Sequence, residues 1–168
     1  MTRIGLLSDT HGYLDPKVLE YFKDCDEIWH AGDIGDAMVS DSLSAIKKYR
    51  AVYGNIDGTE IRSMHPLVEY FKVEDISVLI LHIGGYPKKY SPEAKKLLSE
   101  KQTDLFISGH SHILKVMKDA DLNLLHINPG AAGKHGMHKI RTIVRFSIDG
   151  KKIENLEVIE LGKRGAIE

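Results

Sequence analysis

Residues 4–16 read Ile4-Gly5-Leu6-Leu7-Ser8-Asp9-Thr10-His11-Gly12-Tyr13-Leu14-Asp15-Pro16. The run from Arg3 to Leu7 is short and apolar, which predicts a buried strand. An Asp and a His follow directly, two positions apart. Asp15-Pro16 then offers an N-cap and an N1 proline for a helix whose Val18, Leu19 and Phe22 share a face. The segment therefore reads as strand, polar loop, helix, and the question is whether the chain repeats it.

It does. Glu27 to His30 predicts a second strand, residues 37–48 a helix with Val39, Leu43 and Ile46 at helical spacing, and Ala51-Val52-Tyr53 a third strand. A hairpin pattern follows in Leu67–Val73 and Ser77–Leu81, and Ser91-Pro92 starts a helix that buries Ala94, Leu97 and Leu98. From Asp104 onward the pattern is largely strand. Thr142–Ile148 and Lys152–Leu161 form a hairpin around Asp149-Gly150. Strands enough for two sheets, with helices outside, predict a layered α/β (α+β) sandwich. With no internal repeat or Pro/Gly/Ser-rich linker, residues 1–168 read as one domain.

Composition sets the broad class. The chain of 168 residues is 42% hydrophobic and 28% charged, as expected for a globular domain able to bury a core. Its one cysteine, Cys25, forms no intrachain disulfide, and the first residues hold too short an apolar run for a signal peptide or membrane span. A reducing, cytoplasmic setting is the expectation. A net charge of -1 gives no general nucleic-acid or membrane footprint. Nine histidines are the compositional oddity, and they direct attention to metals.

Five predicted strands end in metal-ligand types. Leu7 leads to Ser8-Asp9-Thr10-His11, His30 to Ala31-Gly32-Asp33, and Tyr53 to Gly54-Asn55; Leu81 leads to His82, and Ile107 to Ser108-Gly109-His110-Ser111-His112. One such junction is ordinary turn chemistry. Five in one chain point to a common rim, because ligands in sheet-based folds gather beyond the carboxyl ends of strands.

In order, these blocks read D-x-H, G-D, G-N, a lone His and G-H-x-H over residues 9–112, and the pattern continues through Asn128-Pro129-Gly130. With them the chain resembles the calcineurin-like metallophosphoesterase superfamily. Its small size is most similar to the short bacterial and archaeal phosphodiesterase branch, and the retromer subunit of the same fold is the non-enzymatic comparison. The resemblance implies a four-layer α-β-β-α sandwich of two mixed sheets flanked by helices, with a two-metal site at the strand ends. It implies Asp9, His11 and His112 on one metal, Asn55, His82 and His110 on the other, and Asp33 bridging; Asp9, His11, Asp33, Asn55 and His110 are the catalytic set.

Mixed oxygen and imidazole donors without thiolate suit Mn²⁺ first, then Ni²⁺, Fe or Zn²⁺, better than Mg²⁺ alone. Two such ions could hold a bridging hydroxide for in-line attack on phosphorus. The expected function is a metal-dependent phosphohydrolase, specifically a phosphodiesterase, acting on a small-molecule phosphoester; homo-oligomerisation stays open. The alternative is a non-catalytic, metal-binding scaffold of the same fold.

Other polar residues receive plainer readings. His30 reads as core or as support for a ligand. Asp36 and Asp57 read as caps or orienting groups, Asp57 the more so, His65 as a surface turn residue, and His126 as a strand-end hydrogen-bonder. The segment Lys134–Lys139 reads equally as a phosphate-facing loop and as a solvated one. Two departures from the superfamily pattern matter: Ile56 stands where many larger members carry a histidine able to protonate the leaving oxygen, and His82 is followed by Ile83 before Gly84.

Overall fold

The structure, a computed structural model, describes residues 1–165; the expected unit of 1–168 extends into residues 166–168, which lie outside the described residues. The elements in order are β1 (Thr2–Leu7), α1 (Pro16–Phe22), β2 (Glu27–His30), α2 (Ala37–Ser44), β3 (Lys48–Ala51), α3 (Thr59–Met64), β4 (Val68–Val73) and β5 (Ile76–Leu81). They continue with β6 (Gly85–Tyr86), β7 (Lys89–Tyr90), α4 (Pro92–Glu100), β8 (Leu105–Ile107), β9 (Lys115–Asp119), β10 (Leu124–Asn128), β11 (Ile140–Asp149) and β12 (Lys152–Lys163).

Two five-stranded sheets form, in the orders β12-β11-β1-β2-β3 and β4-β5-β8-β10-β9, and β6 and β7 make a separate hairpin. Both sheets are mixed. β1, β2 and β3 run parallel, as do β5, β8 and β10, while β11, β12, β4 and β9 pair antiparallel at the flanks. The parallel trios matter most, because parallel strands end on the same side and so present their following loops together.

Three apolar layers hold the sandwich. Between the sheets, Ile4, Leu6 and Trp29 meet Val78, Ile80, Leu105, Ile107 and Ile127, with Trp29 edge-on to Phe71 and Phe146. Outside the first sheet, Leu7 and Ile28 pack under Val18 and Phe22 of α1 and Val39 and Leu43 of α2. Outside the second, Leu79, Leu81 and Phe106 pack with Ala94 of α4. Each fully buried aliphatic or aromatic side chain contributes about 1.5–3 kcal/mol over its exposed state. The four-layer arrangement expected from the resemblance is the one observed, with α4 as the outer helix of the second sheet.

Several local expectations are corrected. α2 ends at Ser44 rather than running to 48, and β3 occupies Lys48–Ala51 rather than 51–53. The register beside β2 explains the shift: Glu27 faces Lys48, and its carboxylate draws Lys48 at 3.2 Å and Arg50 at 3.1 Å into the strand. Ile46, counted on the helix face, is left exposed. α3 was not legible at all, having glycine at its cap and no side-chain capping bond; buried Ile61 and the bond from Arg62 Nε to Asp57 O hold it. His65 is half-buried rather than a surface residue, bonded to Ser40 at 2.9 Å and edge-on to Tyr49. His126 lies inside β10, fully buried, rather than at a strand end. Among the described residues no helix is long and apolar enough to cross a membrane.

Candidate metal centre

The carboxyl ends of β1, β2, β3, β5 and β8 open onto one space, and all seven candidate donors lie there or at its edge. Asp9, His11 and His112 bring one donor atom each to within 4.8 Å of one another, and Asp33, His82 and His110 do the same. Asn55 stands beside the second group, its Oδ1 accepting from His110 Nδ1 at 3.0 Å. Asp33 Oδ2 lies between the groups, 3.5 Å from His11 Nε2 and 3.2 Å from His82 Nε2.

Each carboxylate has one oxygen occupied and one free. Asp9 Oδ2 accepts from Ser8 Oγ at 2.6 Å and from the His110 amide at 3.1 Å, whereas Oδ1 faces the histidines and accepts no hydrogen bond. Asp33 Oδ1 accepts from the Ile56 amide at 3.1 Å, leaving Oδ2 for the centre. His82 shows the same division: its Nδ1 donates to Ala31 O at 2.7 Å, so a neutral ring carries a bare lone pair on Nε2. That lone pair lies 3.2 Å from Asp33 Oδ2 and 3.8 Å from Asp9 Oδ1. Lone pair facing carboxylate is repulsive unless a proton or a cation stands between them.

Asp9 Oδ1, His11 Nε2 and His82 Nε2 are thus buried donor atoms without hydrogen-bond partners, all turned to one space. Orphaned groups of this kind are costly without an ion, and the oxygen–imidazole set fits divalent cations. The electrostatics agree. Burial would raise the Asp9 carboxyl, but His11 and His112 outweigh it and hold it well below the usual range. Asp33 is also lowered, burial being overcome by His82. Burial opposes a charge on His82, yet the two carboxylates hold its ring above the ordinary value.

The supporting residues explain the glycines of the motif. A side chain at Gly54 would collide with the Asp33 carboxylate, and one at Gly109 with Ser8 Oγ and Asp9 Oδ2. These glycines let one donor loop lie against the next. Asp57 pins the loops after β2 and β3 by accepting from the Ile34, Gly35 and Gly54 amides at 3.1, 2.8 and 2.8 Å. Asp36 caps α2. His30, pushed down to about 3 by burial, is neutral; its Nδ1 accepts from the Gly32 amide, so its Nε2 donates to Thr10 Oγ1, which donates to Ile34 O. Asp57 and His30 support the centre as the sequence reading expected.

Ser8 and Thr10, which flank Asp9, also serve the site through Ser8 Oγ to Asp9 Oδ2 and Thr10 Oγ1 to Ile34 O, roles that a small hydroxyl beside a motif aspartate does not signal in the sequence. The segment Lys134–Lys139 packs onto the donors: the His135 ring lies 4.8 Å from that of His11, and His138 lies 5.1 Å from His112 while donating through Nε2 to Gly133 O at 2.8 Å. Ile56 is exposed, and only its backbone engages the centre.

The model of the calcineurin-like phosphoesterase superfamily domain matches residues 2–151. A probable metallophosphoesterase of Methanocaldococcus jannaschii is 32% identical over 163 residues, which span 94% of this chain and 81% of that protein. A solved archaeal phosphodiesterase superposes with TM-score 0.75 at 23% identity, covering 95% of this chain and 99% of that one. Vps29 from Entamoeba histolytica, solved in complex with Zn²⁺, superposes with TM-score 0.73 at 14% identity, covering 97% and 99%. The two solved structures share the fold.

Proposed function

The chain belongs to the calcineurin-like phosphoesterase superfamily, and on that basis we propose that it is a dinuclear metal-dependent phosphodiesterase of the cytoplasm acting on a small-molecule phosphoester, with residues 1–168 as one catalytic domain. The observation that carries this reading is the set of three partnerless buried atoms, Asp9 Oδ1, His11 Nε2 and His82 Nε2, turned to one space. A scaffold that binds no metal has no need to keep them bare, and turnover is what separates a metal-binding scaffold from an enzyme.

Asp9, His11 and His112 would hold one ion and Asn55, His82 and His110 the other, with Asp33 placed between the two groups. When bound, divalent cations of this kind, Mn²⁺ first, lower the pKa of water and polarise phosphoryl oxygens. The remaining work falls to the chain. Ser8 and the His110 and Ile56 amides hold the carboxylates so that one oxygen of each faces inward, and the Ala31 carbonyl fixes the His82 ring. Ile56 supplies no proton to the departing oxygen, a contribution worth about 10²- to 10⁴-fold where present. Arg62 directs its guanidinium to the Asp57 and Asn55 carbonyls and over the Tyr53 ring. Its donors are thereby engaged by the backbone, so it does not form an arginine pair for the second charge of a monoester, which supports the diester reading.

The test uses metal-stripped protein and bis(4-nitrophenyl) phosphate. Hydrolysis is expected to vanish on stripping, return with Mn²⁺ or Ni²⁺, and fall steeply along a diester series as leaving-group pKa rises. Ile56→His is expected to raise turnover of alkyl leaving groups more than aryl ones. Metal uptake with no turnover of any diester would overturn the reading in favour of the scaffold.

A further inference from the structure

A cleft of about 210 Å³ begins at His110 and Gly109 and runs under the β6–β7 hairpin over the outer face of the second sheet; Tyr86, Lys89, Lys115 and His126 help to line it. Its contents are not those of a packing defect. Leu125 and Ile127 of β10 pack with the core between the sheets, so the alternation of a strand turns His126 to the opposite face, toward the cleft.

The His126 ring is fully buried, lies against Phe106 and donates through Nδ1 to Phe106 O at 3.1 Å. Its other nitrogen, Nε2, is therefore an acceptor, and it has no hydrogen-bond partner. Burial, with Lys115 adding to it, pushes this imidazole down to about 4, so the lone pair is bare at neutral pH. A buried acceptor without a donor is unusual. Here it belongs to a buried side chain that helps to line a cleft opening beside a candidate metal ligand.

The walls narrow the donor that would satisfy it. Lys115 Nζ stands 3.9 Å over the Tyr86 ring, and Lys89 lies on the same wall. Two cations disfavour an ammonium donor and tolerate a neutral hydroxyl beside a phosphate. The volume is below the roughly 300–1,000 Å³ of drug-sized pockets, which limits the occupant to about one ring.

We propose that this cleft is a subsite for one arm of the phosphoester, a compact hydroxyl-bearing group such as a single sugar ring, with His126 Nε2 accepting from its hydroxyl. The proposal rests on the phosphoesterase reading above. It makes His126 a specificity-determining residue that contacts substrate away from phosphorus.

The probes are methyl cyclohexyl phosphate and methyl trans-4-hydroxycyclohexyl phosphate, monoanionic diesters that differ by one hydroxyl that cannot reach its own phosphorus. Calorimetric titration of the metal-loaded protein is expected to show the hydroxylated ester binding roughly five- to tenfold tighter, the effect of one added neutral hydrogen bond. In His126→Leu the ratio is expected to fall to about one, whatever the absolute affinities. In the native protein, ¹⁵N spectra are expected to show the His126 Nε2 signal moving with the hydroxylated ester alone, a readout that needs no variant to fold. Equal affinities in the native protein, binding of neither ester, a preference that survives in His126→Leu, or a Nε2 signal that ignores the hydroxyl would each overturn the subsite. If the preference holds while bis(4-nitrophenyl) phosphate is not hydrolysed, the phosphohydrolase reading alone fails.

Discussion

At Asp9, His11, Asp33, His110 and His112 the backbone takes positive φ, between 46° and 70°. Left-handed backbone costs non-glycine residues of order 1–3 kcal/mol when strained, and Asp, Asn and His bear it better than most. The donor loops are therefore bent into a shape that their residue types tolerate. This makes Asp33→Asn an informative change, because Asn keeps the size and the left-handed preference and removes only the charge. Elemental analysis after dialysis is expected to show both ions weakened in Asp33→Asn but chiefly one in His112→Ala, with aryl diester hydrolysis down at least about 100-fold in the former. Two-ion content and full activity in Asp33→Asn, with a native circular dichroism spectrum, would sink the bridging role. The candidate donors were legible in the sequence because metal chemistry restricts residue type. Their backbone conformations were not, since bonds such as Asp9 N to Gly32 O, His11 N to Asp33 O and Gly109 N to His82 O impose them from distant loops.

α1 shows the same division at the level of an element. Asp15-Pro16 announces the start of the helix, and Asp15 Oδ1 does accept from the Lys17 amide at 2.9 Å. What the local pattern does not announce is that Asp15 Oδ2 also receives Arg141 Nη1 at 2.7 Å, both side chains being buried. Arg141 reaches on to the Leu161 and Lys163 carbonyls, so one guanidinium ties the cap of α1 to β12. Asp15→Asn preserves a capping oxygen but strands that guanidinium, and urea unfolding at neutral pH is expected to show a loss of about 3–5 kcal/mol. Burial would raise the Asp15 carboxyl, but Arg141 and the Lys17 amide hold it below its ordinary value. Its contribution is then complete above the unfolded value of about 3.9 and lost as pH falls through the lower folded one. The gap between native protein and Asp15→Asn is therefore expected to close under acid; a gap constant from neutral pH down to strong acid would refute the charge pairing.

For the whole molecule, the centre joins the two sheets: β1, β2 and β3 of the first carry Asp9, His11, Asp33 and Asn55, and β5 and β8 of the second carry His82, His110 and His112. Cations held there favour the docked sandwich over any state in which the sheets part. At a free concentration 1,000 times Kd, one site adds about 4 kcal/mol, which for a chain of this size raises Tm by about 10 °C. Thermal melts with chelator and with excess Mn²⁺ measure it directly, and coincident melts would show that no cation couples the sheets.

β1 pairs with β2 on one side, Ile4 beside Glu27, and with β11 on the other, Thr2 beside Ile148. The strand synthesised before its partners is thus among the last to be enclosed. While the ribosome still holds the second half of the chain, one edge of β1 has no neighbour, and five of the seven candidate donors, Asp9 to His82, have been made without His110 and His112. A long sequence separation between partners makes such closure slow. Full metal capacity at such a centre would then certify a finished chain, since a half-made one lacks β8, β9 and β10 of the second sheet and the loop after β8 that carries His110 and His112.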